Sequence, residues 1–220
     1  MKNIVIFDMD GVIVDSEPLH SDHLRIFLTN LGVESPEKIT HNMKGRNARN
    51  IWELLIQEFQ LEHDLDELVV RARASYFSYL TELPELPSIP GAVEFIEYCY
   101  QKKYTLAIAS SASPRRIDMF LEKIGVKDYF DIIISGDDVQ HAKPAPDIFL
   151  LAAEKLNANP VDCIVVEDAE NGVIAAKAAG MKCIAFGGSD HNTDNLLGAD
   201  LVITDFHALI KGLKTGELPV

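Results

Sequence analysis

The 220-residue chain has few cysteines, few cations and no long apolar run, and each shortage excludes a class of protein. Its three cysteines, Cys99, Cys163 and Cys183, are widely spaced and form no CxxC pair, which argues against a disulfide framework or a zinc site. Lysine and arginine number 20 against 34 acidic residues, and the net charge of −14 would repel a nucleic-acid backbone. No apolar stretch approaches the roughly 20 residues that cross a bilayer. We therefore expect neither a nucleic-acid nor a membrane partner.

The remaining composition, with 47 % apolar and 25 % charged residues, is that of an ordinary globular chain that can bury a core. The amino terminus leads at once into an apolar segment, without the charged, apolar and cleavage regions of an export signal. Thiols in apolar surroundings suit a reducing compartment. We expect a cytoplasmic protein, and nothing in the sequence demands more than a monomer.

Short apolar segments, many of them β-branched, alternate with helical patterns through most of the chain. Segments this continuous suit strands that are buried on both faces of a parallel sheet. The predicted strands are 2–7, 104–109, 131–134, 163–166, 182–186 and 201–203, and the helices predicted between them are 92–102, 114–124, 148–156 and 172–179. The alternation predicts an α/β fold with a doubly wound, Rossmann-like parallel sheet.

One long interval lacks strand patterns. Between residue 16 and about residue 83 the apolar residues show only helical spacing. The best helical patterns are 20–31, 48–59 and 65–80. The proline-rich segment 83–91 cannot continue a helix. We therefore predict a helical cap at residues 16–87, inserted into an α/β core formed by residues 1–15 and 88–220. We expect such an insertion over the carboxyl ends of the strands, where open α/β sheets bind ligands.

A pair of aspartates follows the first predicted strand. Asp8 and Asp10 belong to the segment DMDGV, in which Gly11 allows the chain to turn sharply. Carboxylates two residues apart share one face of an extended segment, and their repulsion requires a cation or a shared proton. The alternative is a polar turn of the kind that commonly follows a strand.

Three further polar clusters lie beyond later strands. Ser110 and Ser111 could hold phosphate oxygens, although serine is also common where helices begin. Lys143, between prolines in AKPAPD, could offset carboxylate and phosphate charge or be a solvated cation. Glu167 and Asp168 suit Mg²⁺, or simply favour the start of a helix. We expect all four clusters on the same edge of the sheet, where they would form one site.

The segments DMDGV, SS, KPAPD and EDAENG, in this order, resemble the motifs of the haloacid dehalogenase-like superfamily. Within it, the chain is similar to the branch of sugar-phosphate phosphatases and β-phosphoglucomutase, whose helical cap follows the first motif. The resemblance runs over essentially the whole chain. It implies a Mg²⁺-dependent phosphatase that hydrolyses a small phosphorylated metabolite, such as a sugar phosphate, through an aspartyl-phosphate.

The resemblance also implies a role for each residue in the phosphoryl-transfer site. Asp8 would be the nucleophile that becomes phospho-aspartate. Asp10 would protonate the leaving oxygen and then activate the incoming water. Ser110, Ser111 and Lys143 would bind the transferring phosphoryl group, and Lys143 would also offset the charge of Asp8.

By the same resemblance, Mg²⁺ would be held by Asp8, the backbone carbonyl of Asp10 and Asp168, with Glu167 as a ligand directly or through water. The superfamily also contains dehalogenases, which attack carbon without a metal and lack the second aspartate of the first motif. Asp10 and the pair of Glu167 and Asp168 argue against that chemistry here.

Cap residues would select the substrate. His20 resembles a histidine that the mutases place near the second aspartate, or it packs in the cap. Lys44, Arg46 and Arg49 resemble a specificity loop and could bind a distal phosphate or sugar hydroxyls, or be solvated. The mutases carry a lysine on the last cap helix, and residues 74–79 contain none, which favours a phosphatase. A phosphomutase and a non-catalytic phosphometabolite sensor are the alternatives.

Overall fold

The protein divides into two compact units, Met1–Asp15 with Glu85–Val220, and Ser16–Pro84. Its structure, a computed structural model, describes residues 4–36, 48–188 and 193–216. The described residues of the second unit form helices α1 Ser16–Asn30, α2 Ala48–Phe59 and α3 Leu65–Glu82, and no strand. No helix in the described ranges is both long and apolar enough to cross a bilayer.

The larger unit, called the core here, contains a six-stranded sheet. Its strands are β1 Ile4–Phe7, β2 Thr105–Ser110, β3 Ile132–Ser135, β4 Cys163–Glu167, β5 Lys182–Phe186 and β6 Leu201–Ile203. All pairs are parallel, and the order is β3-β2-β1-β4-β5-β6. Phe7 at the end of β1 lies in register with Ile108 and Val166 on either side. The predicted doubly wound α/β fold is confirmed, and its topological switch point lies beside β1.

Helices flank both faces of this sheet. In the described part of the core they are α4 Ala92–Gln101, α5 Pro114–Ile124, α6 Asp147–Lys155, α7 Glu170–Ala178 and α8 Phe206–Thr215. Pro114 occupies the first position of α5, and Gly125 ends that helix with a left-handed φ of 79°. The sequence patterns above did not predict α8, although Asp205 caps it by accepting a hydrogen bond from the N–H of His207 at 2.8 Å.

The sheet is buried between these helices, which explains why its strands read as continuous apolar runs. All four residues of β1 are buried. The ring of Phe7 packs edge-on against Phe95 and Phe130, with centroid distances of 5.8 and 6.0 Å. Each fully buried aromatic or branched side chain contributes about 1.5–3 kcal/mol, so the strand ends are held firmly in place. The three cysteines are buried free thiols, as predicted.

The helical unit has a hydrophobic core of its own. Phe27, Trp52, Leu55 and Leu68 are buried together, and the rings of Phe27 and Trp52 meet edge-on at 5.4 Å. Trp52 therefore packs in the interior of this unit. The side chain of Asp64 caps α3, since it accepts a hydrogen bond from the N–H of Glu67 at 2.9 Å.

The chain leaves the core and returns to it at adjacent points. The N–H of Asp15 donates to the carbonyl of Pro87, and the N–H of Ile89 donates to the carbonyl of Ile13, each at 2.9 Å. Residues 85–87 lie in the core unit, whereas the sequence pattern places them in the cap.

Candidate active site

Asp8 is the first residue beyond β1 and lies at the carboxyl edge of the sheet. Its N–H donates to the carbonyl of Val166 at 2.9 Å, which extends the pairing of β1 with β4 by one residue. Its side chain is buried. The carboxylate is thus held in a fixed, largely desolvated position where open α/β sheets bind ligands.

Lys143 connects three of the strand-end segments through one ammonium group. Its Nζ donates to Asp8 Oδ1 at 2.6 Å, to Glu167 Oε1 at 2.7 Å and to the carbonyl oxygen of Ala109 at 3.0 Å. The side chain is only 8 % exposed, and Nζ lies 4.8 Å from the ring centroid of Phe149. Since an ammonium has three donors, all of them are used within the protein.

Glu167 ends β4 and is 2 % exposed. Oε1 accepts from Lys143, and Oε2 accepts from the backbone N–H groups of Asp168 and Ala169 at 2.9 Å each. A Cβ atom on Gly172 would overlap this carboxylate, so the glycine provides the space that it occupies. Glu167 therefore fixes Lys143 and the backbone that leads into α7.

Asp168 lies against the turn that follows β1. A Cβ atom on Gly11 would overlap the carboxylate of Asp168, and the φ of Gly11 is 76°, in the left-handed region. Glycine is thus required at this point for two independent reasons. The consequence is that the backbone of the DMDG segment and the Asp168 carboxylate lie side by side.

The acidic groups of the site are crowded and poorly solvated. Burial raises the pKa of Asp8 to about 7; the ammonium of Lys143 opposes this rise, whereas the carboxylates of Glu167 and Asp10 add to it. Burial also raises the pKa of Asp168 well above its usual range, and Glu167 and Asp8 act in the same direction. Attraction to Asp8 and Glu167 outweighs burial at Lys143 and raises the pKa of that ammonium. If all of these carboxylates were ionised, they would carry more negative charge than this one lysine neutralises.

Arg116, on the first turn of α5, contacts Asp10. Its Nη2 lies 2.7 Å from Asp10 Oδ2, and the two side chains are 23 and 28 % exposed. The sequence motifs do not indicate Arg116, because nothing local distinguishes it from Arg115 and 106 positions separate it from Asp10. The helical spacing of apolar residues predicts α5, but it does not show that Arg116 contacts Asp10.

The two serines of the second cluster differ. Ser110 ends β2 and is buried, and its Oγ accepts a hydrogen bond from the N–H of Ala112 at 3.1 Å. That bond leaves the hydroxyl proton free to be donated elsewhere. Ser111 is exposed.

Of the four predicted substrate-binding residues in the helical unit, two are described. Arg49 on α2 is exposed and pairs with Asp66, and its Nε lies 3.6 Å from Glu53. His20 on α1 is exposed and stacks on Tyr76 with ring centroids 4.2 Å apart. Lys44 and Arg46 lie outside the described residues.

The donor set at the sheet edge fits an open magnesium site. In the described residues, no three His, Cys, Asp or Glu side chains are arranged as a closed metal site. Mg²⁺ does not need one, since it keeps several waters and binds one or two carboxylates. Asp168 is half-buried and Lys143 does not donate to it, whereas Asp8 shares the lysine with Glu167. The excess of negative charge is what a divalent cation would neutralise.

A family model of haloacid dehalogenase-like hydrolases matches residues 5–186. The chain belongs to this family. The predicted family and the prediction of an enzyme are therefore confirmed. Within the haloacid dehalogenase-like hydrolases, its relatives include sugar-phosphate phosphatases and a β-phosphoglucomutase.

Two curated relatives and one crystal structure illustrate the likeness. The phosphorylated carbohydrates phosphatase of Thermotoga maritima is 34 % identical over 180 residues, which is 82 % of each chain. The fructose-1-phosphate phosphatase of Escherichia coli is 31 % identical over 180 residues, 82 % of this chain and 94 % of that one. The crystal structure of a candidate β-phosphoglucomutase from T. maritima matches with a TM-score of 0.82 and 31 % identity, over 98 % of this chain and 99 % of the other.

Proposed function

We propose that this haloacid dehalogenase-like hydrolase is a Mg²⁺-dependent phosphatase that hydrolyses a small sugar phosphate through an aspartyl-phosphate on Asp8. The observation that carries the proposal is the buried Asp8 carboxylate at the end of β1, held by Lys143 beside the Asp10 turn. A nucleophile fixed in this way loses little freedom when it attacks. The phosphatases among its relatives support the choice of substrate class.

The proposed reaction has two steps that share one pair of aspartates. In the first, a carboxylate oxygen of Asp8 attacks phosphorus, the bond from phosphorus to the sugar oxygen breaks, and Asp10 gives its proton to that oxygen. In the second, Asp10 takes a proton from water, the water oxygen attacks the phospho-aspartate, and inorganic phosphate leaves with Asp8 restored. Proton and charge therefore balance over one turnover.

The polar groups around Asp8 would stabilise the charge that moves between these steps. Lys143 holds Asp8 in position and offsets its charge. Contact between Lys143 and a phosphoryl oxygen requires that oxygen to replace one of the three present acceptors. Ser110 can donate its free hydroxyl proton to a phosphoryl oxygen, and Ser111 is exposed beside it.

We assign Asp8, the backbone carbonyl of Asp10 and Asp168 as the groups that would hold Mg²⁺. Bound there, the ion would supply positive charge to the phosphoryl oxygens. Glu167 has both oxygens engaged by Lys143 and two backbone N–H groups, so we propose that it chiefly orients its neighbours. Any contact of Glu167 with the ion would then be secondary.

We propose that the unit Ser16–Pro84 selects the substrate. Arg49 is paired with Asp66 and Glu53 in its own unit, so it would have to exchange partners to bind a sugar phosphate. A phosphomutase is the second candidate, because both a curated β-phosphoglucomutase, 29 % identical, and the structure described above resemble the chain. The absence of a lysine in residues 74–79 favours hydrolysis.

The test is phosphate release by the full chain from fructose 1-phosphate, glucose 6-phosphate, a nucleotide and p-nitrophenyl phosphate, with Mg²⁺ and with EDTA. We expect release from a sugar phosphate that EDTA abolishes. A second assay adds glucose 1,6-bisphosphate to β-glucose 1-phosphate and measures glucose 6-phosphate. Isomer conversion without stoichiometric phosphate would establish the mutase, and no reaction in either assay would favour the non-catalytic sensor.

A further inference from the structure

The contact between Arg116 and Asp10 differs from an ordinary surface ion pair. Both side chains are mostly buried, at 23 and 28 % exposure. Asp10 Oδ1 and Arg116 Nε are buried and have no hydrogen-bond partner within the described part of the chain. The guanidinium therefore engages one oxygen of the carboxylate and leaves the other without a protein donor.

The chemistry of the guanidinium decides what each oxygen of Asp10 can do. Arginine is a donor only and does not deprotonate in proteins, so Oδ2 must accept from Nη2. A proton that Asp10 carries to the leaving group, or takes from water, must then be on Oδ1. We propose that Arg116 is a positioning residue that orients Asp10 and keeps Oδ1 available for proton transfer. This inference rests on the proposed function.

Both ends of this contact stand on rigid backbone. Ile117, Phe120 and Leu121 are fully buried and anchor α5 to the core, one to five positions beyond Arg116. On the other side, the turn that carries Asp10 is closed by a 2.9 Å hydrogen bond from the N–H of Ile13 to the carbonyl of Met9. An acid–base group held between two fixed elements keeps its orientation through the reaction.

The leaving group separates a positioning role from a structural one. A sugar alkoxide leaves well only when an acid protonates it, whereas p-nitrophenolate leaves without that help. If Arg116 orients the proton of Asp10, its loss will slow cleavage of a sugar phosphate much more than cleavage of p-nitrophenyl phosphate. General damage to the fold would slow both reactions alike.

The experiment is a single-turnover measurement with excess enzyme and Mg²⁺, which follows the release of sugar from fructose 1-phosphate or glucose 6-phosphate and of p-nitrophenol from p-nitrophenyl phosphate. Arg116→Met removes the donor, and Arg116→Lys keeps one. Lys127→Met is the matched control, because Lys127 pairs with Asp118 and Glu122 of α5, the helix that also carries Arg116. Circular dichroism and thermal melting verify the fold, and Arg116→Gln replaces Arg116→Met if the latter does not fold.

We expect R116M to lower the maximal rate of sugar release by about tenfold or more, since general acid catalysis contributes about 10²–10⁴-fold. Release of p-nitrophenol should change by less than about threefold, as should the half-saturating enzyme concentration with each substrate, and R116K should recover much of the lost rate. Equal losses with both substrates, no loss with either, or a raised half-saturating concentration at unchanged maximal rate would overturn the inference alone. A wild-type enzyme that cleaves neither substrate would overturn the proposed function, and this inference with it.

Discussion

At the residue scale, Lys143 is the side chain on which the electrostatics of the site depend. One buried ammonium lies against two buried carboxylates, those of Asp8 and Glu167. Removing the ammonium would leave these two buried carboxylates unpaired. For a buried ion pair, the stability lost when one partner is removed is larger than the net stabilisation that the pair contributes.

Replacing Lys143 by Met should therefore lower the free energy of unfolding by about 3 kcal/mol in EDTA at neutral pH. Lys177→Met is the matched control, because Lys177 forms an exposed pair with Asp200, and its loss should cost at most about 1 kcal/mol. Urea denaturation of both variants checks this. Equal small losses would contradict the electrostatic role given to Lys143.

The residues of the candidate site could be predicted where they follow a predicted strand. A residue that reaches the site only through a tertiary contact could not be predicted. Asp8, Ser110 and Glu167 each follow or end a predicted strand, and the parallel sheet brings those ends to one edge. Arg116 lies on an amphipathic helix, where an arginine is ordinarily solvated. Its contact with Asp10 depends on how α5 packs, which no local pattern contains.

At the scale of the element, the start of α7 depends on Gly172, although the backbone conformation at this position does not require glycine. Gly172 has ordinary helical placement in α7, so Gly→Ala there should by propensity alone stabilise the protein by about 1 kcal/mol. Here the new Cβ would overlap the Glu167 carboxylate. Glu167 would have to move and release Lys143 and the N–H groups of residues 168 and 169.

We therefore predict that Gly172→Ala lowers the free energy of unfolding, by about 1–3 kcal/mol, and also lowers turnover. Gly198→Ala is the control, because its Cβ would meet only Val173 at an ordinary 3.4 Å. Thermal melting and phosphate release measure both effects. A stabilised G172A protein with full activity would show that Glu167 is not held as described.

In the helical unit, the packing of α1 on α3 includes a buried histidine. His23 Nε2 lies 3.0 Å from Ser75 Oγ. Burial lowers the pKa of His23 to about 4, and the neighbouring His20 acts in the same direction. In the unfolded chain a histidine has a pKa of about 6.5, so below that pH the unfolded state binds a proton that the folded state does not.

The helical unit should accordingly lose stability as the pH falls from about 6.5 towards 4, and His23→Gln should remove that part of the loss. Urea unfolding at pH 7.5 and 5.5 tests this, with NMR titration of the His23 ring. His63→Gln, at an exposed position, should keep the pH dependence of the wild type. A ring of His23 that titrates near its ordinary pKa would contradict the packing described.

The strands were the elements most open to prediction, because a strand buried on both faces must be apolar at successive positions. The helix α8 was missed, although Phe206, Leu209 and Ile210 have helical spacing and Asp205 provides a cap. It follows β6, which the sequence pattern does predict, but Gly212 inside the helix weakens the helical pattern there.

At the scale of the whole molecule, the net charge of −14 and the acidic site both favour binding of a divalent cation. Without one, the half-buried carboxylate of Asp168 lies close to the carboxylates of Glu167 and Asp8, an arrangement that destabilises the fold. With one, the same carboxylate becomes a ligand, and binding to the folded state alone stabilises it. Asp168 should thus have opposite effects in the two conditions.

We predict that Asp168→Asn raises the melting temperature in EDTA and abolishes the increase that Mg²⁺ produces in the wild type. That increase corresponds to about 2.7 kcal/mol when the Mg²⁺ concentration is 100 times its dissociation constant. Asp128→Asn, which removes an exposed carboxylate, should retain it. An equal Mg²⁺ effect in D168N and the wild type would mean that the ion acts through general screening of the acidic surface.

The measurement that most directly tests the central claim is chemical trapping of the phosphorylated enzyme. The wild type and Asp8→Asn are mixed with a cleavable sugar phosphate and Mg²⁺, quenched in acid within milliseconds, and digested for mass spectrometry. We predict one added phosphoryl group on the wild-type peptide that contains Asp8 and none on the D8N peptide. We also predict at least a 10³-fold loss of turnover in D8N, on the order of the loss when a nucleophile is removed. A label on another residue, or full turnover by D8N, would contradict it.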